Sequence, residues 1–248
     1  MGDHAAAADG DLVFVPTLPG VDPRGCALSS IISNKTFLNG IADLIARSGD
    51  PEGALARSLR AAAALAGRTD TPMPTRLVLS GHSAGGDAVF HIASQLVSSE
   101  VPNTPRLTGL VQLDPVRGID ASVTDDALAT LAATDLPIEV VATPASLCNN
   151  FGSGVADTRR YLTGRYLGIE LTSGSHADAL GTGDATVAAA AGLLCGRITA
   201  GNVALTREFA TAWICDDLTG GVSPEFRPGS ADYDALSAAG VLRTVTGM

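Results

Sequence analysis

Aromatic and basic residues are scarce in this sequence, and it has no long apolar run. Phe, Trp and Tyr make up 4% of the 248 residues, so the core must be built mainly from small aliphatic side chains. Lys and Arg number 16 against 26 Asp and Glu, and the net charge of −10 argues against nucleic acid or an anionic membrane as a partner. No apolar stretch has the length of a membrane span, so no integral membrane segment is expected.

Targeting and metal-binding patterns are missing as well. Met1–Gly10 is polar and Ala-rich, without the apolar stretch of a secretory signal, and the sequence leaves the compartment open. The cysteines, Cys26, Cys148, Cys195 and Cys215, have neither C-x-x-C spacing nor a histidine at ligand spacing. We therefore expect no metal site and no cofactor. Buried free thiols are the expected state, and one or two disulfides are the alternative for an exported protein.

The chain is long enough, at 46% apolar residues, to bury a full core. We expect residues 1–248 to form one domain with a loosely attached tail over 220–248. Strand and helix patterns alternate, which predicts an α/β fold with a mostly parallel sheet and helices on both faces. The predicted strands are Leu12–Val15, the segment leading into Gly81, Leu107–Leu113, Pro137–Ala142 and Tyr166–Leu171. The predicted helices are Phe37–Arg47, Pro51–Ala66 with Asp50 as its cap, Ala84–Val97, Asp125–Thr134, Ala185–Cys195 and Val203–Leu218, and Thr143–Asp157 is predicted to be a loop.

The segment Gly81-His82-Ser83-Ala84-Gly85 follows an apolar strand pattern and precedes a helical one. This context favours a nucleophile elbow over an ordinary strand–helix turn, with the Ser83 hydroxyl exposed above the end of the sheet. Gly81 and Gly85 are expected to be required because a Cβ at either position would collide with a neighbouring element. The backbone N–H of Ala84 is the candidate donor to an oxyanion.

A serine nucleophile needs a base, and the chain has 4 histidines. His4 lies in the polar start of the chain, and His82 is expected to point away from its neighbour Ser83. His91 lies more than two helical turns beyond the nucleophile. His176 follows a late strand in a Gly/Ser-rich segment, so it is the predicted base.

Two aspartates are candidates for the acid that orients the base. Asp114 directly ends the strand after the elbow, and the order Ser, Asp, His matches that of the hydrolases. Asp157 is the alternative acid, but it lies far along the predicted loop. We therefore prefer Asp114, for which a role as a helix cap or loop-fixing carboxylate is the alternative. Asp87, on the elbow helix, is expected to be a surface or salt-bridging residue.

These motifs resemble the α/β-hydrolase family, and more closely the chlorophyllases and their bacterial relatives. The resemblance covers about residues 75 to 218 and depends on Gly81–Gly86, Leu113–Val116, Pro137–Val141, Gly174–His176, Ala191–Cys195 and the helix around Phe209. It implies an α/β-hydrolase fold and the triad Ser83, Asp114 and His176, in agreement with the choice made from the residues alone. Plant chlorophyllases usually carry arginine where this chain has Ala84, a difference that bears on the substrate rather than on the chemistry.

The start of the chain departs from the family in a second way. Leu12–Leu18 resembles the strand just before the first crossover helices, rather than the earlier strand whose loop supplies the second oxyanion donor. Either the first strands are lacking, or Pro16–Leu18 takes over the oxyanion loop. A missing donor would weaken transition-state stabilisation by roughly 10²–10³-fold.

The leading hypothesis is a serine ester hydrolase that acts on a hydrophobic ester through an acyl-enzyme. The resemblance implies chlorophyll as the substrate, cleaved to chlorophyllide and phytol. A broad-specificity lipase or esterase is the first alternative. The second is a catalytically weakened binding protein that keeps the hydrolase fold.

Overall fold

The computed structural model describes residues 13–15, 35–68, 71–181 and 195–248, and its centre is a five-stranded sheet. The strands follow one another in the order β1-β2-β3-β4-β5. The first four are parallel, and β5 runs antiparallel to β4. Their bounds are β1 Arg76–His82, β2 Arg106–Leu113, β3 Ile138–Ala142, β4 Tyr166–Leu171 and β5 Leu242–Thr246.

Helices separate the parallel strands, as the alternating pattern predicted. The α-helices of the described ranges are α1 Lys35–Ala46, α2 Ala54–Leu65, α3 Ala84–Val97, α4 Ala121–Ala132, α5 Ser153–Tyr161, α6 Ala200–Thr219 and α7 Ala231–Ala238. None of them combines the length and the apolarity needed to cross a membrane. The predicted helix Ala84–Val97 and strand Tyr166–Leu171 have the observed bounds.

Both faces of the sheet are covered by helices. Successive residues of a strand point to opposite faces, and each face has its own core cluster. Leu110 and Val140 pack with Phe90 of α3 on one face. Val111 and Val141 pack with Trp213 of α6 on the other. A parallel sheet buried on both faces produces the continuous apolar strands seen in the sequence.

The C-terminal tail was expected to be loosely attached, and this expectation is wrong. Its last strand, β5, pairs with β4 along the edge of the sheet. Tyr233 of α7 and Leu242 of β5 are each 1% exposed in the core. Arg227 forms an ion pair with Glu139 of β3 at 2.8 Å. The tail therefore completes both the sheet and one of its core clusters.

Several boundaries differ from the sequence prediction for local reasons. Asp50 does not cap a helix at Pro51, because its carboxylate accepts the N–H of Glu52 in a turn, and α2 begins at Ala54. The exposed residues Val13–Val15 form no strand. The predicted loop Thr143–Asp157 contains the short 3-10 helix Asn150–Gly152 and the start of α5, from Ser153 to Asp157. Leu12, Pro16–Gly20 and all of Ala185–Cys195 except Cys195 lie outside the described residues.

Candidate active site

Ser83 stands between β1 and α3 in a backbone conformation that L-residues seldom adopt. Its φ of 57° and ψ of −129° are those of a sharp strand–helix turn. Such a conformation costs of order 1–3 kcal/mol and persists only where its surroundings hold it. Here the Ser83 N–H donates to the Leu113 carbonyl at 3.2 Å, and the Ser83 carbonyl accepts the N–H of Gly86 at 2.9 Å and of Val116 at 3.0 Å. The turn is thereby fixed to the end of β2.

The glycines of this turn have different roles from those predicted. A Cβ on Gly81 would lie 2.3 Å from the carbonyl oxygen of Gly85, so the requirement for glycine at position 81 is confirmed. A Cβ on Gly85 would meet no atom within 4 Å, so the predicted collision there is wrong. The close approach occurs one residue later, where a Cβ on Gly86 would lie 2.7 Å from the Cβ of Pro115. The elbow helix therefore packs against the turn after β2 through Gly86.

Ala84 is the first residue of α3, directly after Ser83. The N–H groups of a helix's first turn have no acceptor within the helix and favour negative charge beside them. The Ala84 N–H is thus suited to an oxyanion. The proposed source of a second donor, Pro16–Leu18, lies outside the described residues.

Asp114 follows β2 at the same end of the sheet and is 2% exposed. Its N–H donates to the carbonyl of Val141 at 2.8 Å, which ties it to β3. Its Oδ1 accepts the Thr143 N–H at 3.0 Å. Its Oδ2 accepts the Thr143 hydroxyl at 2.6 Å and the side-chain amide of Asn149 at 3.1 Å. The carboxylate is therefore held in one orientation by hydrogen bonds to both oxygens.

His176 is a further hydrogen-bond partner of the Asp114 carboxylate. Its Nδ1 lies 2.6 Å from Oδ2 of Asp114, and the ring is buried. Because an ionised carboxylate can only accept, Nδ1 carries the proton. In the neutral ring Nε2 is then the acceptor, the tautomer that a general base requires.

Asp157, the alternative acid, lies on α5 and binds a different partner set. Its carboxylate forms ion pairs with Arg117 at 3.2 Å and Arg160 at 3.4 Å. The structure thus brings His176 together with Asp114, while Asp157 belongs to an arginine cluster.

The segment that carries His176 is fixed by Asp178. Oδ2 of Asp178 accepts the N–H of Ser175 at 2.7 Å, and Oδ1 accepts the N–H of Thr199 at 3.3 Å. Burial raises the pKa of the Asp178 carboxyl, while these backbone donors act in the opposite direction. Asp178 therefore holds the segment of His176, the predicted base, through its backbone.

A disulfide joins Cys148 to Cys195, so the expectation of free thiols is wrong for this pair. Cys148 precedes Asn149, which bonds Asp114, and the Cys195 carbonyl accepts the Ser175 hydroxyl at 2.9 Å. The disulfide thus links the segment beside Asp114 to the segment beside Ser175 and His176. Cys26 lies outside the described residues.

The other histidines have separate partners. Asp87, predicted to be a surface or salt-bridging residue, is instead buried and hydrogen-bonded to a hydroxyl. Nε2 of His91 lies 2.8 Å from Oδ1 of Asn39, and Nε2 of His82 lies 2.8 Å from the carbonyl oxygen of His176. Asp87 is 2% exposed, accepts the Thr124 hydroxyl, and has its pKa raised to about 6 by burial. His4 lies outside the described residues.

Sequence reasoning missed three residues that hold Asp114 or the segment of His176. Thr143 directly follows β3, and its position at a strand end was a usable signal. Asp178 lies two residues after the predicted base, a weaker signal. Asn149 is fully buried, yet nothing in its sequence context distinguishes it from a loop asparagine.

No protein-family model, curated protein or solved structure matches this chain. Within the part of the chain that the structure describes, no cluster of three or more His, Cys, Asp or Glu residues could hold a metal ion.

Proposed function

We propose that this protein is a serine carboxylic-ester hydrolase with Ser83 as nucleophile, His176 as general base and Asp114 as the orienting acid. The observation that carries the proposal is the 2.6 Å hydrogen bond between Nδ1 of His176 and Oδ2 of Asp114. It occurs at the end of the sheet where Ser83 has the strained conformation of a nucleophile elbow. The proposal includes an α/β-hydrolase fold for the whole domain.

The reaction follows from the roles of these groups. Ser83 Oγ attacks the ester carbonyl carbon while its proton passes to Nε2 of His176. Asp114 keeps the Nδ1 proton in position and stabilises the imidazolium that forms. The carbon–oxygen bond to the alcohol breaks, His176 returns the proton to the leaving oxygen, and an acyl-Ser83 remains. His176 then deprotonates a water molecule whose oxygen attacks the acyl carbon. The bond from that carbon to Ser83 Oγ breaks, His176 returns the proton to Oγ, and the carboxylic acid is released.

The negative charge that develops on the carbonyl oxygen needs hydrogen-bond donors. The N–H of Ala84 at the start of α3 is the proposed first donor. Two alternatives stand for the second donor: Pro16–Leu18 takes over the oxyanion loop, or the first strands and their donor are lacking.

The proposed substrate is a hydrophobic ester. The resemblance to chlorophyllases, carried by the Asp114-Pro115-Val116 motif after β2 and by Gly174–His176, favours cleavage of chlorophyll to chlorophyllide and phytol. Pro115 of this motif also has a packing role, because it lies directly against Gly86 of α3. A broad lipase or esterase would use the same catalytic groups. Comparing chlorophyll with a short-chain ester as substrates distinguishes it from a chlorophyllase-type enzyme.

The test is turnover of a short-chain nitrophenyl ester and of chlorophyll by the purified protein and by Ser83→Ala. We expect Ser83→Ala to abolish ester cleavage without loss of folding, and a serine-directed phosphonate to label Ser83. Cleavage of chlorophyll would support the chlorophyllase-type activity, and cleavage of the nitrophenyl ester alone a broader esterase. Absence of both cleavage and labelling would contradict the proposal and favour a hydrolase-fold binding protein.

A further inference from the structure

His82 is the residue before the proposed nucleophile, and its half-buried side chain reaches the backbone of the proposed base. Its Nε2 lies 2.8 Å from the backbone carbonyl oxygen of His176. The two imidazole rings also pack against each other, with centroids 4.6 Å apart and planes inclined by 36°. The expectation that His82 merely points away from Ser83 therefore omitted its main contact.

The direction of this hydrogen bond is fixed by chemistry. A backbone carbonyl can only accept, so Nε2 of His82 carries the proton and donates it. Burial lowers the pKa of His82, and the neighbouring His176 lowers it further, while the hydrogen bond to the His176 carbonyl and the charge of Asp114 act in the opposite direction. At neutral pH His82 is therefore a neutral donor.

We propose that His82 is a positioning residue for the base: its Nε2–H holds the backbone of His176 so that the ring stays aligned between Asp114 and Ser83. This inference rests on the hydrolase function proposed above. The ring of His176 is held by Asp114 at Nδ1, and its backbone is held by His82 at the carbonyl. Because His82 ends β1 and Ser83 follows it directly, the same strand end holds the nucleophile and contacts the backbone of the base.

A neutral donor also suits the chemistry better than a charged one. In the proposed reaction His176 becomes an imidazolium, and a second cation packed on it would disfavour that state. The titratable groups that act on His82 are His176 and Asp114. His82 therefore supplies a hydrogen bond without placing a competing charge beside the base.

Two substitutions separate the donor from the ring. His82→Gln keeps an N–H donor at a similar reach and removes the aromatic ring, whereas His82→Phe keeps a ring and removes the donor. If the donor aligns His176, we expect His82→Phe to lower kcat by about 10- to 100-fold with KM nearly unchanged, the scale of a small misplacement of a catalytic group. His82→Gln should recover most of that loss.

The second readout is independent of turnover. The Nδ1 proton of His176, bound to Asp114, is expected to give a far-downfield proton NMR signal in the wild type and in His82→Gln. In His82→Phe this signal should broaden or move. His91→Phe is the matched control, because it removes a buried histidine whose Nε2 bonds Asn39 rather than the base, and it should leave both kcat and the signal unchanged.

The outcomes distinguish this inference from the function on which it rests. An inactive wild type that a phosphonate does not label contradicts the hydrolase proposal, and the NMR signal still tests the His82 contact. An active wild type with unchanged kcat and signal in His82→Phe overturns the positioning role. Equal loss in His82→Gln and His82→Phe overturns the role of the donor. If His82→Phe does not fold, His82→Asn replaces it, because its shorter amide falls short of the His176 carbonyl.

Discussion

Replacing Cys148 and Cys195 together by serine removes the covalent link between the segment beside Asn149 and the segment beside Ser175. The two cysteines are 47 residues apart in the sequence. A cross-link over a loop of this length lowers the entropy of the unfolded chain, and the loop-closure relation gives about 4 kcal/mol at 25 °C. We therefore expect the double variant to lose about 4 kcal/mol in the free energy of unfolding.

Trp213 provides the assay. It is the chain's single tryptophan and is fully buried, packed edge-on against Phe209, so its fluorescence reports the loss of the core. With a urea m-value of about 3 kcal/mol/M, the expected loss lowers the unfolding midpoint by about 1.3 M. Wild type treated with a reductant should shift to the midpoint of the double variant, whereas the double variant itself should not respond.

Under the proposed function the disulfide also bears on turnover, since its two ends adjoin groups that hold Asp114 and the segment of His176. Asn149 bonds Asp114, and Ser175 bonds the Cys195 carbonyl. We expect the folded double variant to cleave esters more slowly than wild type at low temperature, where both are folded. If the wild type has the same urea midpoint under oxidising and reducing conditions, the loop-closure reasoning is refuted.

Three further predictions follow from the described contacts. Asp114→Asn is expected to lower turnover of a soluble nitrophenyl ester on a scale of about 10⁴, as for another triad aspartate, while the control Asp157→Asn leaves it unchanged; an equal loss in both would contradict the choice of acid. Gly81→Ala should lower Tm sharply, because its Cβ would lie 2.3 Å from a backbone oxygen. Gly85→Ala should keep Tm or raise it, because its Cβ would meet no atom within 4 Å and alanine is favoured over glycine in a helix by about 0.5–1 kcal/mol. A lower Tm in the Gly85 variant would refute this assignment of roles. Asp217 of α6 is buried near Glu139 of β3. Burial and, next in size, the charge of Glu139 raise the pKa of Asp217 from 3.8 to about 8, so its contribution to stability is complete below about pH 4 and is lost as the pH rises through 8. Asp217→Asn should therefore make Tm depend less steeply on pH across this window, and an unchanged slope in thermal melts would contradict the raised pKa.

The sequence by itself determined the elements whose signals are local. The apolar run before Gly81 and the helical spacing after Ser83 predicted β1 and the bounds of α3, because both depend on neighbours a few residues apart. The apolar run Leu107–Leu113 likewise predicted β2, since a strand buried on both faces is apolar at nearly every position. The mostly parallel sheet followed from the alternation of these elements.

Only the tertiary structure decided which distant residues meet. Nothing local says that Asn149 turns its amide to Asp114, or that Cys148 pairs with Cys195, because these contacts join segments 35 and 47 residues apart. The same holds for His82, whose contact with His176 spans 94 residues.

The C-terminal tail and the elbow glycines illustrate the same limit. Leu242–Thr246 looked loosely attached because a short edge strand is stabilised by pairing with β4 rather than by its own composition. Gly85 looked essential because of its place in the motif, yet Gly86 is the residue that meets Pro115. The path of α3 over the turn after β2 decides which Cα comes closest to that turn. Local sequence sets which elements form, and their packing sets which side chains touch.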